Sequence, residues 1–220
     1  MSTAGFFGKV PSRGDFVQRT LPASFIAPWD RWLQAGIAGS QESLGDDWLE
    51  VYLTSPVWRF ALSAHMAGEM AVAGVFIPSV DRVGRYFPFT LACLLRAGLG
   101  PVAIRAHAAW FDAAEALALQ MLTEDASPDD LATGVEHLGC PPLPPPLPSD
   151  SEGMRFGDLG DDPVHRLVES FAPAHGLLWT TGSKLVQPTQ LLVWQLPSPS
   201  RFTALLDGAW VRHGWTEATP

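Results

Sequence analysis

The sequence predicts an α/β sandwich, with a mostly antiparallel central sheet and helices on one or both of its faces. Short segments with the hydrophobic pattern of strands are interleaved with longer segments that have helical periodicity. Successive strand segments are joined by short connections. Short connections favour antiparallel neighbours, because a parallel crossover needs a dozen or more residues.

The first strand and the first helix lie near the start of the chain. Glycine and proline bound the apolar segment GFFGKV, residues 5–10, which we expect to be a strand. A helix is expected in PWDRWLQAGI, because Pro28 suits a first helical turn, where its missing N–H costs little. Trp29, Leu33 and Ile37 recur at helical spacing, so this helix is expected to bury one face.

Three further strands are expected in VWRFALSA, MAVAGVFI and YFPFTLACLL. The first of them alternates, with Trp58, Phe60 and Leu62 on one face and Arg59 and Ser63 on the other. That alternation is typical of a half-buried strand. The other two segments are almost entirely apolar, which indicates central strands covered on both faces.

Two helices are predicted after the strands. The segment GPVAIRAHAAWFDAAEALALQML has apolar residues at helical spacing throughout and predicts one long helix. The segment SPDDLATGVEHLG predicts another, in which Ser127 caps the first turn, Pro128 begins the helix and Gly139 ends it.

A proline-rich connector follows at about 140–153, in CPPLPPPLPSDSEG. It is either a stiff surface connector or, through its PxxP match, a ligand for a proline-reading domain. A short helix at 162–171, strands in GLLWTT and LLVWQL, and a last helix from Ser198 are expected beyond it. Two strands alone are marginal, so they should join the same sheet, and residues 1–220 are predicted to form a single domain.

Composition limits the possible partners and the location. The 220 residues carry a net charge of −9, with an isoelectric point near 5.0. An acidic chain argues against a nucleic-acid partner and against binding to an anionic membrane surface. The longest apolar runs are far below the roughly 20 residues of a membrane-spanning helix, so no membrane insertion is expected. No secretory signal is present at the start of the sequence, which predicts a cytoplasmic protein.

Cysteine and histidine residues do not form a recognisable metal or disulfide motif. Cys93 lies in an apolar run and is interpreted as a buried small hydrophobic residue, with a disulfide to Cys140 as the open alternative. His137 lies three residues before Cys140, and His165 lies four residues before Glu169. Neither pair belongs to a complete metal motif, so no metal site is predicted.

The stretch GFFGKVPSRGDF resembles a phosphate-binding loop only superficially. Such a loop has four residues between its glycines and a hydroxyl residue after its lysine. Here two residues separate Gly5 from Gly8, and a valine follows Lys9. The chain also lacks a G-x-S-x-G nucleophile motif. We therefore predict no catalytic residues and no cofactor, and we expect that the protein is not an enzyme.

Three segments contain more glycine, proline and charged residues than a core element needs. Their residues of interest are Gly5, Gly8, Lys9, Pro11, Arg13, Gly14 and Asp15; Ser79, Asp81, Arg82, Gly84, Arg85 and Pro88; and Trp179, Gly182 and Ser183. One interpretation is structural: glycine and proline set turns, and aspartate–arginine pairs on the surface contribute at most about 1 kcal/mol. The other interpretation is a binding site.

The segments GFFGKVPSRGDFVQR, PSVDRVGRYFPFTLA and GLLWTTGS occur in an order that resembles the TagF (ImpM) family of type VI secretion-associated proteins. The resemblance extends from Gly5 to about Ser183. It implies an α/β sandwich of the longin or profilin-like kind. It also implies a post-translational repressor of the secretion system that binds the forkhead-associated scaffold protein of the apparatus. No catalytic residues follow from it.

Two hypotheses about function remain after the resemblance. In the first, the charged turns form the scaffold-binding surface, with Arg13, Arg82, Arg85 and Trp179 as contact residues, because arginine and tryptophan supply many of the strongest contacts in interfaces. In the second, the protein is a small nucleotide-binding switch or enzyme that uses a patch of Lys9, Arg13 and Arg85. Oligomeric state is not predicted by either.

Overall fold

A seven-stranded sheet forms the centre of the computed structural model, which describes residues 3–95, 100–142 and 176–216. The strands are β1 (Thr3–Gly8), β2 (Val17–Arg19), β3 (Trp58–Leu62), β4 (Ala71–Ile77), β5 (Phe89–Leu95), β6 (Gly176–Thr180) and β7 (Thr189–Val193). Their order across the sheet is β2-β1-β5-β4-β3-β6-β7, and every neighbouring pair is antiparallel. The predicted antiparallel α/β fold is confirmed.

Helices cover both faces of the sheet. They are α1 (Ala23–Leu44), α2 (Trp48–Leu53), α3 (Pro101–Arg105), α4 (Ala108–Gln120), α5 (Pro128–Leu138) and α6 (Pro199–Asp207), with a 3₁₀ turn (Gly45–Asp47) before α2. Side chains of α1, α2 and α6 pack into one hydrophobic core, and side chains of α3, α4 and α5 pack into a second core on the opposite face.

The first core is rich in aromatic rings. Trp29 of α1 is fully buried, and its ring centroid lies 4.6 Å from that of Trp32 and 4.7 Å from that of Phe60. The indole N–H of Trp29 donates to the hydroxyl of Thr90 at 3.0 Å, which satisfies its polar atom inside the core. The predicted amphipathic helix is thereby confirmed.

The alternation predicted for the segment VWRFALSA, which contains β3, is also confirmed. Trp58, Phe60 and Leu62 belong to the first core. Arg59 points to the second face, where its guanidinium binds Glu115 of α4 at 2.7 Å. The neighbouring strands β4 and β5 are buried at every position, as expected for central strands.

Helix boundaries differ from the prediction at two places. α1 begins at Ala23, so Pro28 lies inside the helix and not in its first turn, because burial of Phe25 against Trp29 stabilises the preceding turn. The long helix predicted for residues 100–122 is divided between α3 and α4 at His107, whose ψ of 56° interrupts the helix. The two pieces pack on different strands: α3 on β3 and β6, and α4 on β4 and β5.

The sequence pattern did not predict the short elements β2 and α2. β2 has three residues, of which only Val17 is buried, and α2 has six residues. Neither is long enough to show a periodicity. The capped helix was predicted correctly: the hydroxyl of Ser127 accepts the N–H of Asp130, Pro128 begins α5, and Gly139 follows its end with φ 59°.

A disulfide joins Cys93 of β5 to Cys140, just beyond α5, with a Cα–Cα distance of 5.5 Å. Cys93 is buried, as predicted, but its interpretation as an unbonded small residue is corrected. β6 pairs with β3 and places the two late strands in the same sheet as the first five. The helix predicted at 162–171 and all of the connector beyond residue 142 lie outside the described residues.

Candidate protein-binding site

Two of the three unusual segments form turns that touch at one end of the sheet. β1 leads into residues 9–16, and β4 leads into residues 79–87. The C-terminal ends of these strands lie on either side of β5, because Phe7 of β1 and Phe76 of β4 both pair with Thr90. We call residues 9–16 and 79–87 together the twin-turn site.

Hydrogen bonds join the two turns directly. The backbone N–H of Arg82 donates to the carbonyl of Arg13 at 2.9 Å. The hydroxyl of Ser79 donates to the carbonyl of Lys9 at 2.8 Å. These bonds fix the position of one turn relative to the other, although the residues that they join are about 70 positions apart in the sequence.

Asp81 is the centre of the twin-turn site. Its side chain has no exposed surface, and its Oδ2 accepts from the Lys9 ammonium at 2.8 Å and from Nε of Arg85 at 2.7 Å. Its Oδ1 accepts from the backbone N–H groups of Val83 at 3.0 Å and Arg85 at 2.9 Å. A single carboxylate therefore shapes the second turn, residues 79–87, and anchors it to the first turn, residues 9–16.

The environment of Asp81 keeps its carboxyl group ionised. Burial alone would raise its pKa, because it removes water from the charged form. The hydrogen bonds from Lys9, Arg85 and Val83 outweigh this effect and hold the pKa of Asp81 well below its usual range. The negative charge is therefore a permanent part of the framework at physiological pH.

Tyr52 of α2 holds the second turn from the side of the first core. Its hydroxyl donates to the carbonyl of Ser79 at 2.9 Å and accepts the N–H of the same residue at 3.0 Å. Its ring stacks on Trp48 with 4.9 Å between centroids. Burial raises the pKa of Tyr52 far above that of a free tyrosine, so the hydroxyl keeps its proton and the clamp is neutral.

Two glycines of the motifs are required by the backbone, Gly84 within the twin-turn site and Gly8 immediately before it. Gly8 has φ 144° and passes close to the carbonyl of Pro88, so a side chain there would collide with the backbone. Gly84 has φ 84°, which non-glycine residues rarely adopt. Gly14 differs, because its φ is not in the left-handed region and an added Cβ would lie 3.9 Å from the nearest atom, Nη2 of Arg82.

Two other motif residues also have structural positions. Pro11 follows Val10, whose carbonyl accepts the N–H of Arg13 at 3.1 Å, and proline suits this second position of a β-turn. Gly5 lies in β1, where an added Cβ would collide with the carbonyl of Arg19.

The three arginines named from the sequence have different surroundings. Arg85 binds Asp81 and the carbonyl of Gly14, and lies 3.9 Å from Asp15, although 56% of its side chain is exposed. Arg13 and Arg82 are exposed, and in the described part of the chain neither has an acidic partner. The structure thus divides the set into one framework arginine and two unpaired surface arginines.

Phe16 is an exposed aromatic residue of the site that the sequence prediction missed. Its ring stacks on Phe7 with 5.3 Å between centroids, meets Phe87 edge-on at 4.9 Å, and is still 46% exposed. The ammonium of Lys9 lies 5.3 Å from its centroid. An aromatic residue directly after the polar turn sequence SRGD was the available signal. Val83, which is 66% exposed, adds a second apolar group to the site.

Trp179 does not lie beside the arginines. It is on β6, which β5, β4 and β3 separate from β1, and it is only 9% exposed. Phe111 packs edge-on against its ring at 4.6 Å, and the guanidinium of Arg105 lies 5.9 Å from its centroid. This corrects the expectation of an exposed tryptophan at the arginine surface, because the second core covers the ring.

Gly182 and Ser183, in the third segment, form a separate turn after β6. Gly182 has φ 97°, and its N–H donates to the hydroxyl of Thr180 at 3.0 Å. The N–H of Ser183 donates to the carbonyl of Val186 at 2.8 Å. These bonds close the turn on itself.

Comparison with known proteins assigns the family. Residues 5–138, which contain the whole twin-turn site, match the family model described as "TagF N-terminal domain, Type VI secretion system-associated". The chain belongs to the TagF family. This TagF chain is also similar to a crystal structure of PA0076 from Pseudomonas aeruginosa PAO1, resolved at 2.05 Å, with 37% identity and a TM-score of 0.80. The similarity covers 99% of this chain and 97% of that one.

The search of curated proteins finds no significant match. The family predicted from the sequence motifs is confirmed, and so is the fold. Of the helices in residues 3–95, 100–142 and 176–216, none has both the length and the apolar character to span a membrane. The same residues contain no group of three or more histidine, cysteine, aspartate or glutamate side chains placed to hold a metal ion.

Proposed function

We propose that this TagF-family protein is a cytoplasmic, post-translational repressor of the type VI secretion system. It acts by binding the forkhead-associated scaffold protein of the apparatus. The observation that carries the proposal is the family match over residues 5–138, because it ties the chain to this secretion system. The twin-turn site supplies the surface through which we propose that the protein acts.

The geometry of the twin-turn site favours a role in binding. Arg13 and Arg82 are exposed cations without an acidic partner among the described residues, and the exposed Phe16 belongs to the same site. Arginine and aromatic side chains dominate the energetics of many protein interfaces. The backbone beneath them is held by Asp81 and Tyr52, so little conformational freedom would be lost on association.

The alternative of a nucleotide-binding switch or enzyme has weaker support. Its central residue, Lys9, is 6% exposed, and its ammonium is bound to Asp81. A phosphate group would have to displace this buried carboxylate before it reached the lysine. Arg85 is engaged with the same carboxylate. Two of the three cations in the predicted patch therefore already bind Asp81, and Arg13 is the one without an acidic partner among the described residues.

The proposal is tested in the native host with the secretion apparatus expressed. Affinity-tagged protein should recover the scaffold from the lysate, and overproduction should lower the amount of secreted substrate in the culture medium. A strain without the scaffold gene is the control for specific recovery. Overproduction that leaves secretion unchanged, with no scaffold recovered, would contradict the proposal.

A further inference from the structure

A cleft of about 480 Å³ opens beside the twin-turn site. It lies between the first turn, strand β2 and the beginning of α5, and the residues Phe6, Arg13–Arg19, Arg82, Pro128 and Asp129 line it. Its volume is within the range of about 300–1,000 Å³ that is typical of ligand-binding pockets. β2 is the edge strand of the described sheet, so an extended segment has access to the cleft alongside an existing strand.

The cleft is locally basic on an acidic protein. The chain has a net charge of −9, but the charged lining residues are Arg13, Arg19 and Arg82 against Asp15 and Asp129. Arg19 is paired with Asp129 at 2.8 Å. Arg13 and Arg82 remain without an acidic partner among the described residues. Guanidinium groups bind carboxylates with paired, charge-assisted hydrogen bonds, so these two arginines suit an acidic ligand.

Gly14 leaves space next to one of these cations. A Cβ added at this position would lie 3.9 Å from Nη2 of Arg82, at ordinary contact distance. The backbone of Gly14 is not in the left-handed region, so its φ does not require glycine. Glycine at this position therefore places no side chain beside the guanidinium of Arg82.

Phe16 adds exposed apolar surface near the cations. It is one of the residues that line the cleft and is 46% exposed, and its ring packs against Phe7 and Phe87 of the first core. Exposed apolar surface near two arginines without an acidic partner among the described residues fits a peptide segment in which acidic and hydrophobic side chains are neighbours.

We propose that this cleft binds an acidic, extended segment of the scaffold partner. A carboxylate of the segment is held by Arg13 and Arg82, a neighbouring apolar side chain packs on Phe16, and the segment runs along β2. This inference rests on the proposed function, because it names the part of the scaffold that the protein recognises.

The test uses overlapping 15-residue peptides that cover the scaffold sequence, together with the intact purified scaffold. Binding to both is measured with the wild-type protein, Gly14→Val, Arg82→Glu and the double variant Arg13→Glu/Arg82→Glu. Arg31 is an exposed residue of α1 without an acidic partner in the described chain, and Arg31→Glu is the control that matches the charge change of Arg82→Glu. Gly14→Val fills the space without changing the charge, and the melting temperature of each variant checks its fold.

We expect the bound peptides to carry a net negative charge and the affinity to fall as salt is added. Gly14→Val and the double variant should each weaken binding at least tenfold, while Arg31→Glu binds normally. Replacing the contacting acidic residue of the peptide by lysine should restore binding to Arg82→Glu. If Gly14→Val misfolds, the proposal is tested by the double variant and by the binding of the lysine-substituted peptide to Arg82→Glu.

Other results overturn the inference in distinguishable ways. Scaffold capture that is unaffected in the Gly14→Val and double variants would place the binding surface elsewhere and leave only the proposed role as a scaffold-binding repressor intact. Bound peptides without acidic residues would overturn the acidic segment alone. Self-association of the protein that is lost in Gly14→Val would make a second copy the occupant. No binding of the intact scaffold by the wild-type protein would overturn both proposals.

Discussion

The ammonium of Lys9 lies 2.8 Å from a carboxylate oxygen of Asp81, and 72 sequence positions separate the two buried residues. This pair connects the loop after β1 to the turn after β4. It explains why both segments combine glycine with charged residues: glycine allows the tight backbone paths, and the buried ion pair joins them. The twin-turn site is therefore a rigid framework that presents Arg13, Arg82 and Phe16 at the surface.

Loss of the carboxylate at position 81 should strongly destabilise the protein. Asp81→Asn leaves the buried ammonium of Lys9 without a counter-charge, and breaking a buried ion pair in this way costs about 3–5 kcal/mol. Urea denaturation of the two proteins measures the difference. Asp15→Asn, at a fully exposed position of the same site, is the control and should unfold like the wild type. Equal midpoints for Asp81→Asn and wild type would contradict the proposed framework.

The same carboxylate predicts a specific dependence of stability on pH. Folding holds the pKa of Asp81 well below its unfolded value of about 3.9. Its contribution to stability is complete above that unfolded value and decreases as the pH falls from it towards the folded pKa. The difference in unfolding free energy between wild type and Asp81→Asn should therefore narrow below about pH 4. A difference that stays constant down to pH 3 would show that Asp81 is not stabilised as an anion.

Replacement by alanine should destabilise the protein at Gly84 but hardly affect its stability at Gly14. Gly84 has φ 84°, and forcing an L-residue into a left-handed conformation costs roughly 1–2 kcal/mol. Gly14 has no such φ, so Gly14→Ala should change stability by less than about 0.5 kcal/mol. Thermal melts of Gly84→Ala, Gly14→Ala and the wild type measure these differences in stability. A larger loss at Gly14 than at Gly84 would contradict the assigned backbone roles.

The disulfide should contribute measurably to the stability of the oxidised protein. It joins cysteines 47 residues apart. In the chain-entropy account, closing a loop of that length lowers the entropy of the unfolded chain and stabilises the folded state by about 4 kcal/mol. Reductant should lower the melting temperature of the wild type but not that of Cys93→Ala/Cys140→Ala. Thiol titration that finds two free cysteines in the oxidised, denatured protein would refute the bond.

Much of the fold could be predicted because its elements carry strong local patterns. The alternation of Trp58, Phe60 and Leu62 and the capping residue Ser127 indicate a strand and a helix without reference to the rest of the chain. The boundary of α1 could not be predicted from Pro28, because the extra turn depends on tertiary burial of Phe25.

The candidate site was predicted in composition but not in arrangement. The motifs identified Arg13, Arg82 and Arg85, but sequence alone gave no reason to treat them differently. Their difference arises from a contact across the fold: Arg85 reaches Asp81, whereas the other two reach no carboxylate in the described chain. The exposed aromatic residue was also misassigned for this reason, because only the packing of α4 shows that Trp179 is covered.

The central claim is that the twin-turn site is a binding surface supported by a separate internal framework. Isothermal titration of the purified scaffold against Arg82→Glu and Arg85→Glu, with a thermal melt of each variant, tests it most directly. We predict that Arg82→Glu loses at least tenfold in affinity at an unchanged melting temperature. Arg85→Glu should melt at a lower temperature, because it places a second negative charge against Asp81. Normal scaffold binding by Arg82→Glu, or a matching loss of thermal stability in both variants, would contradict the claim.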